Sequence, residues 1–535
     1  MIVKIRSPLQ KYLFNWERVR NSYCNWISKT KLRFFFSKNS NTIYGLSPWW
    51  ATSLVSKDNL NNKKWYEDFK NLIDKTNLKK KINQEHLFVM KFFFKFLKNF
   101  IKEIIWFFVI KLISFTRFKK LKEKNCFHSF NYNFFWDNEL KKFTDRCYRY
   151  MYERKNLNKN FYLITIVKKY DYFKNFFNHK NDKSIIADEF IELNQIIYTY
   201  LKSLIILIKL NNFIKTNNKI FYINNIDCSK VLAPMLKSSF AGEIQTCILR
   251  GLSIKNYLKK NHCDIFLSYG EFTPQYRPIY FFIRSLKISP TIFTFQHGNA
   301  NENLLYNCNN KKDFSFKNKN LEGTIYSPKP DFYLTQGKQF NDILKKYFKN
   351  TKIIGSLKYD GVSFKKNNKK NKVKKIVICP SVGDDEVILE MLINSVSFKH
   401  KYYISPHPTY KFIAKKFINK LSDKCNIKYL SNKTTKNIVL KSDLVITGFS
   451  SIAYEAAIAG IPSIRLLDLS KPHYHETDDK IKMIYDHFEL KKILSKDNFK
   501  QIKSSSKKQI ENFMFYKLDS KAYLRMWSYI NKLKN

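Results

Sequence analysis

Acidic residues, glycine and proline are all scarce in this chain of 535 residues. Asp and Glu number 43 against 97 Lys and Arg, which leaves a formal net charge of +54. With only 12 Gly and 13 Pro, the sequence excludes collagen-like and linker-dominated architectures. Hydrophobic residues make up 44% of the chain, which excludes a disordered protein. At about 150 residues per domain, the length favours several folded units.

Disulfide, secretion and transmembrane signals are also missing. The nine cysteines include no CxxC pair and their number is odd, which indicates reduced thiols and not a disulfide framework. Residues 1–20 lack the apolar core of a secretory signal. The sequence contains no apolar run of the roughly 18 residues that a conventional transmembrane helix needs. We therefore expect a cytoplasmic protein.

The positive charge is what the sequence has in excess. The sequence is rich in Lys, Asn, Phe, Ile and Tyr, which all have AT-rich codons. This codon bias accounts for much of the positive charge, because lysine is one of the favoured residues. A charge of +54 still favours anionic partners, either nucleic acid or anionic lipid. The most basic run, 365–375, has seven lysines and no interleaved aromatics, so we interpret it as an exposed linker and expect no nucleic-acid partner.

One segment, 88–116, combines lysines with aromatic residues. Lys91, Lys95, Lys98 and Lys102 recur at helical spacing and form one stripe, and the rest of the helix is rich in Phe, Ile and Leu. This composition suits the interface of an anionic membrane, where headgroups bind the lysines and the acyl boundary takes the rings. The alternatives are a helix packed on the protein with its lysines in water and a membrane-spanning segment.

Short apolar runs alternate with helical patterns from residue 160 to residue 480. The predicted strands are 161–167, 219–222, 264–268, 291–295, 332–335, 375–379, 402–405, 427–430, 444–447 and 463–467. Such alternation is typical of βαβ units in parallel sheets. We predict an α/β protein with two Rossmann-like parallel-sheet lobes joined near 355–375, and a helical, basic insertion in the N-terminal part.

The most informative segment, 447–464, reads TGFSSIAYEAAIAGIPSI. A strand ends at Gly448, Ser450 or Ser451 is a suitable N-cap for the helix that follows, and Gly460 ends that helix. A helix N-terminus at the carboxyl end of a parallel strand presents free N–H groups, which suit a phosphate. An ordinary capped βαβ turn has the same pattern and is the alternative.

Two histidine motifs also follow predicted strands. In ISPHP, Pro408 and the preceding proline fix a loop that aims His407 out of the sheet crevice, where it can donate to a phosphate oxygen. In TFQHGN, Gln296 and His297 precede Gly298, which permits close approach of a ligand. His297 is a candidate base, electrostatic stabiliser or hydrogen-bonding strut.

One carboxylate is a candidate for proton transfer, and one pair of histidines has a spacing that could suit a metal ion. Glu271 follows a predicted strand in DIFLSYGEFTPQYRP, and a carboxylate there could take a proton from a sugar hydroxyl. A salt bridge between Glu271 and Arg277 is the alternative. His473 and His475 have no evident third ligand, so we predict no metal site.

In their order along the chain, these motifs resemble those of bacterial surface-carbohydrate biosynthesis proteins, the GT-B-type glycosyltransferases of capsule, O-antigen and lipopolysaccharide pathways. The resemblance covers about 44–60 and 264–470, from YGLSPWWATSLVSKD through YGEFTPQYRP, TFQHGNANENLLY, PDFYLTQG and IIGSLKYD to SPHP and the 447–464 segment. The His-Pro and Ser-Ser motifs are also similar to those of sialyl-, polysialyl- and Kdo-transferases, which use CMP-sugars. CDP-glycerol glycerophosphotransferases have a similar His-Gly and Ser-Ser layout.

The resemblance implies two lobes with the active site in the cleft between them. The N-terminal lobe, 1–355, would bind a glycan or glycolipid acceptor and would include the insertion at about 61–160. The C-terminal lobe, 356–510, would bind the nucleotide-sugar, and 511–535 would form a C-terminal helix.

Residue roles are implied in the same way. The donor-binding residues would be His407, Pro408, Gly448, Ser450, Ser451 and Glu455, with Glu455 on ribose hydroxyls. The acceptor or cleft residues would be Gln296, Gly298 and Arg277. Glu271 would be the general base, and His297 would stabilise charge or orient the acceptor. The alternative is that His297 is the base and Glu271 fixes its tautomer.

The resulting prediction is a metal-independent glycosyltransferase of surface polysaccharide or lipopolysaccharide synthesis. It would use a nucleotide-sugar, such as a CMP-sugar, as substrate and no resident cofactor. It would be cytoplasmic and peripheral on the inner face of the inner membrane. The alternatives are a CDP-glycerol-type glycerophosphotransferase, a nucleotide-sugar epimerase, and a non-catalytic protein that binds nucleic acid or membrane.

Overall fold

Two all-parallel sheets form the framework of the chain in the computed structural model. The structure describes residues 8–56, 85–114, 125–129, 134–137, 142–145, 162–165, 185–269, 272–296, 309–314, 319–362, 373–380, 384–406, 412–429, 438–448, 450–467, 480–496, 499–502 and 505–534. The helices are α1 Pro8–Lys29, α2 Lys31–Ser37, α3 Ser53–Ser56, α4 Glu85–Ser114, α5 Leu193–Thr216, α6 Ser229–Ser239, α7 Glu243–Lys260, α8 Tyr276–Arg284, α9 Lys311–Phe314, α10 Lys338–Lys345, α11 Asp385–Ile393, α12 Phe412–Leu421, α13 Ile452–Ile458, α14 His487–Leu494, α15 Lys507–Ile510 and α16 Ala522–Lys534.

The strands are short and most are apolar. They are β1 Asn125–Ser129, β2 Phe134–Asp137, β3 Lys142–Asp145, β4 Tyr162–Thr165, β5 Ile185–Ile186, β6 Tyr222–Ile223, β7 Ile226–Asp227, β8 Ile265–Ser268, β9 Thr291–Phe295, β10 Phe332–Thr335, β11 Thr351–Ile353, β12 Lys375–Cys379, β13 Lys401–Ile404, β14 Asn426–Tyr429, β15 Leu444–Thr447, β16 Ser463–Leu466 and β17 Lys482–Ile484.

The N-terminal sheet has seven parallel strands in the order β11-β10-β9-β8-β1-β4-β5. All four residues of β8, Ile-Phe-Leu-Ser, are buried, and only Thr291 of β9 is exposed. Such continuously buried and largely apolar strands fit a parallel sheet whose two faces are both covered.

The C-terminal sheet has six parallel strands in the order β14-β13-β12-β15-β16-β17. Its inner strands β15 and β16 are fully buried. Its core is a separate cluster of Ile, Leu, Tyr and Phe side chains from the strands and from α11, α12 and α14. The prediction of two Rossmann-like parallel-sheet lobes is therefore confirmed.

Three sequence-based assignments differ from the structure, two of them in the N-terminal part and one at the C-terminus. Residues 219–222 were predicted as a strand, but only Tyr222 is in one, the two-residue β6 that pairs antiparallel with β7 outside the main sheets. The segment at about 61–160 was predicted as a helical insertion. Its described part contains α4 but also β1, which lies between β4 and β8 inside the N-terminal sheet.

The C-terminal segment, predicted as one helix over 511–535, is interrupted. A π-helical turn, Glu511–Phe515, ends at Tyr516, and both Tyr516 and Ser520 have positive φ, which a continuing helix excludes. Helix α16 then begins at Ala522, where Asp360 accepts hydrogen bonds from two backbone N–H groups at 3.0 and 2.8 Å. Its buried face belongs to the core of the N-terminal lobe, so the chain returns to that lobe.

Helices α4 and α5 cover the outside of the N-terminal lobe. Phe96 and Phe100 of α4 pack on Tyr200 of α5 with ring centroids 5.3 and 5.0 Å apart. Among the described residues, α5 is long and apolar enough to cross a membrane by length and composition alone. Seven of its residues are nevertheless buried against the protein.

Candidate functional site

The strand order of the C-terminal sheet creates one topological switch point. Counted along the chain, its strands lie in the order 3-2-1-4-5-6, so the connections change direction between β12 and β15. In open α/β sheets, ligands bind outside the carboxyl ends of the strands at such a point. Cys379 ends β12 beside Thr447, the end of β15. The loop 448–451 follows β15, and its described residues Gly448, Ser450 and Ser451 are therefore at the position where ligands bind in folds of this kind.

The two serines of the 448–451 loop have different roles at the start of α13. Ser451 is at the N-cap position, but its hydroxyl donates to Glu455 Oε1 at 3.3 Å instead of capping the helix. The Ser450 hydroxyl accepts a long hydrogen bond, 3.4 Å, from the Ile452 N–H. Ser450 rather than Ser451 therefore accepts a hydrogen bond from a backbone N–H at the start of this short helix.

Gly448 is a glycine because Asp384 fills the space beside it. A Cβ at residue 448 would lie 2.1 Å from Asp384 Oδ2, 2.5 Å from its Cγ and 2.7 Å from its Cβ. Asp384 is buried at the start of α11, which follows β12 across the switch point. A carboxylate therefore lies directly against the loop that we interpret as a phosphate site, and a phosphate there needs positive charge nearby.

Arg465 supplies such a charge, and sequence analysis missed it. This fully buried residue of β16 donates from Nη2 to the Ser450 carbonyl at 3.4 Å, and its guanidinium lies 4.6 Å from the ring centre of Tyr454. The sequence does contain a signal, because an arginine inside an apolar buried strand must be hydrogen-bonded or paired.

Glu455, the predicted ribose ligand, is buried and already has several partners. Its Oε1 accepts hydrogen bonds from the Tyr359 hydroxyl and from Ser451, and the Lys358 ammonium lies 3.5 Å from the same oxygen. Lys358 and Tyr359 belong to the segment that leads from the N-terminal lobe into the C-terminal lobe. Glu455 therefore joins the candidate donor site to this interlobe segment.

Burial and negative charge also shift proton affinities around the switch point. Burial, reinforced by the Glu455 charge, raises the pKa of Tyr359 well above its usual value. Burial, with Glu455 and Asp384 as smaller contributions, raises the pKa of the Cys379 thiol well above its usual range. Both groups are neutral at physiological pH.

The N-terminal sheet has an equivalent switch point between β1 and β8. Read from the β5 edge, its strands follow the order 3-2-1-4-5-6-7 along the chain. At the carboxyl end of β8, the hydroxyl of Tyr269 donates to the buried Asp145 carboxylate at 2.7 Å. Glu271 follows two residues later and lies outside the described residues.

Gln296 connects the ends of β9 and β10. Its side-chain Oε1 accepts from the Gln336 N–H at 3.0 Å, and its carbonyl accepts from Gln336 Nε2 at 2.9 Å. These two hydrogen bonds, both donated by Gln336, fix Gln296 at the end of β9. His297 and Gly298, which follow it, are outside the described part of the structure.

Arg277, the other predicted cleft residue, is buried in α8. Its guanidinium lies 5.6 Å from the ring centre of Trp50, and Arg33 lies 5.2 Å from the same indole. Arg33 is also paired with the buried Asp313 at 2.7 Å. Arg277 thus joins α8 to the PWW segment near the N-terminus, and its predicted pairing with Glu271 is not covered by the described residues.

The remaining predicted donor residues, His407 and Pro408, also lie outside the described ranges. The chain enters that loop from β13, and Ser405 is hydrogen-bonded through its N–H to the Ile378 carbonyl at 2.8 Å. The loop therefore starts beside β12 at the carboxyl edge of the sheet. No group of three His, Cys, Asp or Glu side chains that could hold a metal ion occurs among the described residues.

The fold and the described part of the site define a two-lobed α/β protein with a topological switch point in each doubly wound sheet. No protein-family model matches the sequence, and no curated protein matches it. Among solved structures, the chain is similar to the wall teichoic acid polymerase TagF, with a TM-score of 0.41 and 13% identity over 83% of this chain and 97% of that one.

UDP-N-acetylglucosamine 2-epimerases are similar at the same level. The Neisseria meningitidis enzyme bound to UDP-GlcNAc has a TM-score of 0.40 and 10% identity, over 77% of this chain and 100% of that one. A Listeria monocytogenes protein described as a UDP-N-acetylglucosamine 2-epimerase has a TM-score of 0.41 and 13% identity, over 77% and 97%. Likeness at this level carries no functional assignment, and the resemblance to sialyl- and Kdo-transferases stays a sequence-based prediction.

Proposed function

We propose that the protein is a glycosyltransferase that moves a sugar from a nucleotide-sugar donor to a growing surface polysaccharide or lipopolysaccharide acceptor. The observation that supports this most strongly is the C-terminal switch point. There the 448–451 loop, the buried Arg465 and the buried Glu455 converge at the carboxyl edge of a doubly wound sheet.

On the donor side, Ser450, Ser451 and His407 bind the phosphate groups in this proposal. Negative charge increases on the nucleotide phosphate as the bond to the sugar breaks. Positive groups already in place stabilise that charge without reorganisation. Arg465 donates to the Ser450 carbonyl of this loop, and its positive charge offsets the negative charge of Asp384 beside Gly448. No resident metal or cofactor is required by this arrangement.

Glu455 is proposed to bind the ribose. Its hydrogen bonds from Tyr359 and Ser451 both end on Oε1, which holds the carboxylate in one orientation. We assign Oε2 to a ribose hydroxyl. Tyr359 and Lys358 then act as positioning residues for Glu455.

On the acceptor side, a hydroxyl oxygen attacks the anomeric carbon, its proton passes to a base, and the nucleotide leaves. Glu271 is the proposed base and His297 is the alternative base, with Gln296, Gly298 and Arg277 on the same side.

Glu271→Gln should lower turnover about 10²–10⁴-fold without changing nucleotide affinity. A Glu base places the acidic limb of the pH–rate profile near pH 4–5 or somewhat higher, whereas a His base places it at about 6–7. Near-wild-type turnover of Glu271→Gln, with loss in His297→Ala, would reverse the two roles.

A thermal-shift screen with CMP, CDP, UDP, GDP and dTDP tests the proposal. A nucleotide at about 100 times its Kd stabilises the folded protein by about 2.7 kcal/mol, which is readily measured. Stabilisation by one nucleotide, followed by transfer from its sugar derivative, is the expected result. Transfer from CDP-glycerol, or epimerisation of UDP-GlcNAc without transfer, would instead favour the alternative enzymes, and no stabilisation by any nucleotide would argue against a donor site.

The location is part of the same proposal. A glycan or glycolipid acceptor of a surface polymer is built at the membrane, and we place the protein in the cytoplasm on the inner face of the inner membrane. The excess of lysine supports this location, because the membrane surface there is anionic.

A further inference from the structure

Helices α4 and α5 expose an unusual amount of apolar surface. Among the described residues, 12 of the 22 large hydrophobic side chains that are exposed belong to these two helices. The most exposed are Phe94, Ile105 and Leu112 on α4 and Leu201 and Ile208 on α5, at 57–70% of full exposure. Contiguous apolar surface of this kind marks a contact with a partner or a membrane.

On each helix the exposed apolar residues form one face. They recur at spacings of three or four residues from Leu97 to Leu112 on α4, and from Leu201 to Ile208 on α5. The opposite face of each helix is packed into the lobe, through residues such as Phe96 and Tyr200. Each helix is therefore half protein core and half exposed surface.

The two apolar faces point to the same side of the protein. Phe96 lies against Tyr200, whereas Lys111, 15 residues further along α4, donates to the Glu189 carbonyl just before α5 begins. The helices therefore run antiparallel. We call the exposed apolar face of each helix its apolar sector. Counted at about 100° per residue, the centre of this sector lies about 110° around the helix axis from the side that contacts the other helix. The direction of this rotation is the same on both helices. In an antiparallel pair, this places the two sectors side by side.

Lysines border the apolar surface on one side. Lys95, Lys98 and Lys102 are exposed and lie next to the apolar sector of α4. Glu103, the one acidic residue in the described side chains of α4, is buried, and α5 contains no acidic residue. The exposed surface thus has an apolar centre and a cationic margin.

We propose that this two-helix face, the exposed apolar residues of α4 and α5 with their lysine margin, is the surface that binds an anionic lipid bilayer. The apolar side chains enter the boundary between headgroups and acyl chains, and the lysines bind anionic headgroups. The helices lie flat, because spanning would remove the packed face of α5 from the core. A second copy fits less well, because the same face of that copy would bring further lysines and no described acidic side chain to pair with them.

This inference extends the membrane location proposed above and adds α5 to the lysine-bearing helix. It can fail independently of the transfer chemistry, because nucleotide binding is measured in solution without lipid. It predicts that apolar contact, and not only charge, holds the protein on the bilayer.

Sedimentation with vesicles tests the inference on the full chain. The test variant combines Phe94→Ser, Ile105→Gln, Leu112→Gln, Leu201→Gln and Ile208→Gln. The control is Phe398→Ser with Phe488→Ser, which removes two apolar side chains of similar or greater exposure, 68% and 72%, from the other lobe. Vesicles contain phosphatidylcholine alone or phosphatidylcholine and phosphatidylglycerol in equal parts.

The wild type and the control should sediment with the anionic vesicles, and the five-residue variant should lose binding at least about tenfold while keeping its melting temperature. Changing Lys95, Lys98 and Lys102 to Glu should remove the preference for phosphatidylglycerol. Unchanged sedimentation of the five-residue variant, or no binding by the wild type, would overturn the inference. So would a wild-type dimer that the variant converts to monomer without a change in vesicle binding.

Discussion

Replacing Gly448 by Ala tests the geometry at the switch point most sharply. The new Cβ would lie 2.1–2.7 Å from three side-chain atoms of Asp384. Rotating the carboxylate does not relieve the contact, because the Asp384 Cβ itself is one of the three atoms and is fixed by the backbone at the start of α11. Overpacking of this kind typically costs about 1–3 kcal/mol.

The assay is urea unfolding of Gly448→Ala, Asp384→Gly and the double variant. Asp384→Gly removes all three clashing atoms, so the double variant should recover most of the stability that Gly448→Ala loses. We expect a coupling free energy of about 1 kcal/mol or more. Nucleotide affinity should follow the same pattern, since the 448–451 loop moves when Asp384 is displaced.

Gly460→Ala is the matched control. Gly460 has φ +73° and nothing within 4 Å of a Cβ, so its substitution costs backbone strain and no steric contact. Asp384→Gly should not rescue it. If the effects of Gly448→Ala and Asp384→Gly simply add, within about 0.5 kcal/mol, the proposed close contact is refuted.

Three further results are expected. Arg465→Gln should weaken nucleotide binding about tenfold or more by calorimetry, because the charge next to Ser450 is lost, and an unchanged Kd would contradict this role. Tyr359→Phe should lower the free energy of unfolding by about 1.5–3 kcal/mol, because the Tyr359 hydroxyl donates to the Glu455 carboxylate and the variant loses this hydrogen bond. The raised pKa of Tyr359 also means that its contribution is complete below pH 10 and falls as the pH rises further, so the stability of the Phe variant should depend less on alkaline pH. Of the nine thiols, the seven in described residues are buried. Burial raises the pKa of Cys228 and of Cys247 to about 12 and that of Cys425 to about 11. No more than two thiols should therefore react with a thiol reagent at pH 8 until the protein unfolds, and a third fast-reacting thiol would contradict this burial.

The strands that could be predicted from sequence are those that are apolar and bounded by turn residues. Strands β8, β9, β10 and β15 are of this kind, and each has at least three buried residues. Strand β1, Asn-Cys-Phe-His-Ser, was missed because its composition is largely polar, although it occupies an inner position of the sheet. The edge strands β11 and β17 have three residues each, too few for a pattern.

The site was predictable only where it is local in sequence. The order of strand end, glycine, serines and helix in 447–464 identified the loop, and the structure has that order. The contacts of Tyr359 with Glu455 and of Asp384 with Gly448 join residues 96 and 64 positions apart, and no local pattern encodes them. In the same way, the lysine stripe of α4 was visible in the sequence. Which apolar residues beside it remain exposed depends on how α4 packs against α5.

The most direct test of the central claim is the affinity of the nucleotide that the screen selects, measured by calorimetry for the wild type and for Ser450→Ala/Ser451→Ala. The control is Phe398→Ser/Phe488→Ser, which changes the same lobe away from the switch point. The account predicts that affinity falls about tenfold or more in the serine variant, with an intact fold, and stays at the wild-type level in the control. Wild-type affinity in the serine variant would contradict the assignment of the donor site to the C-terminal switch point.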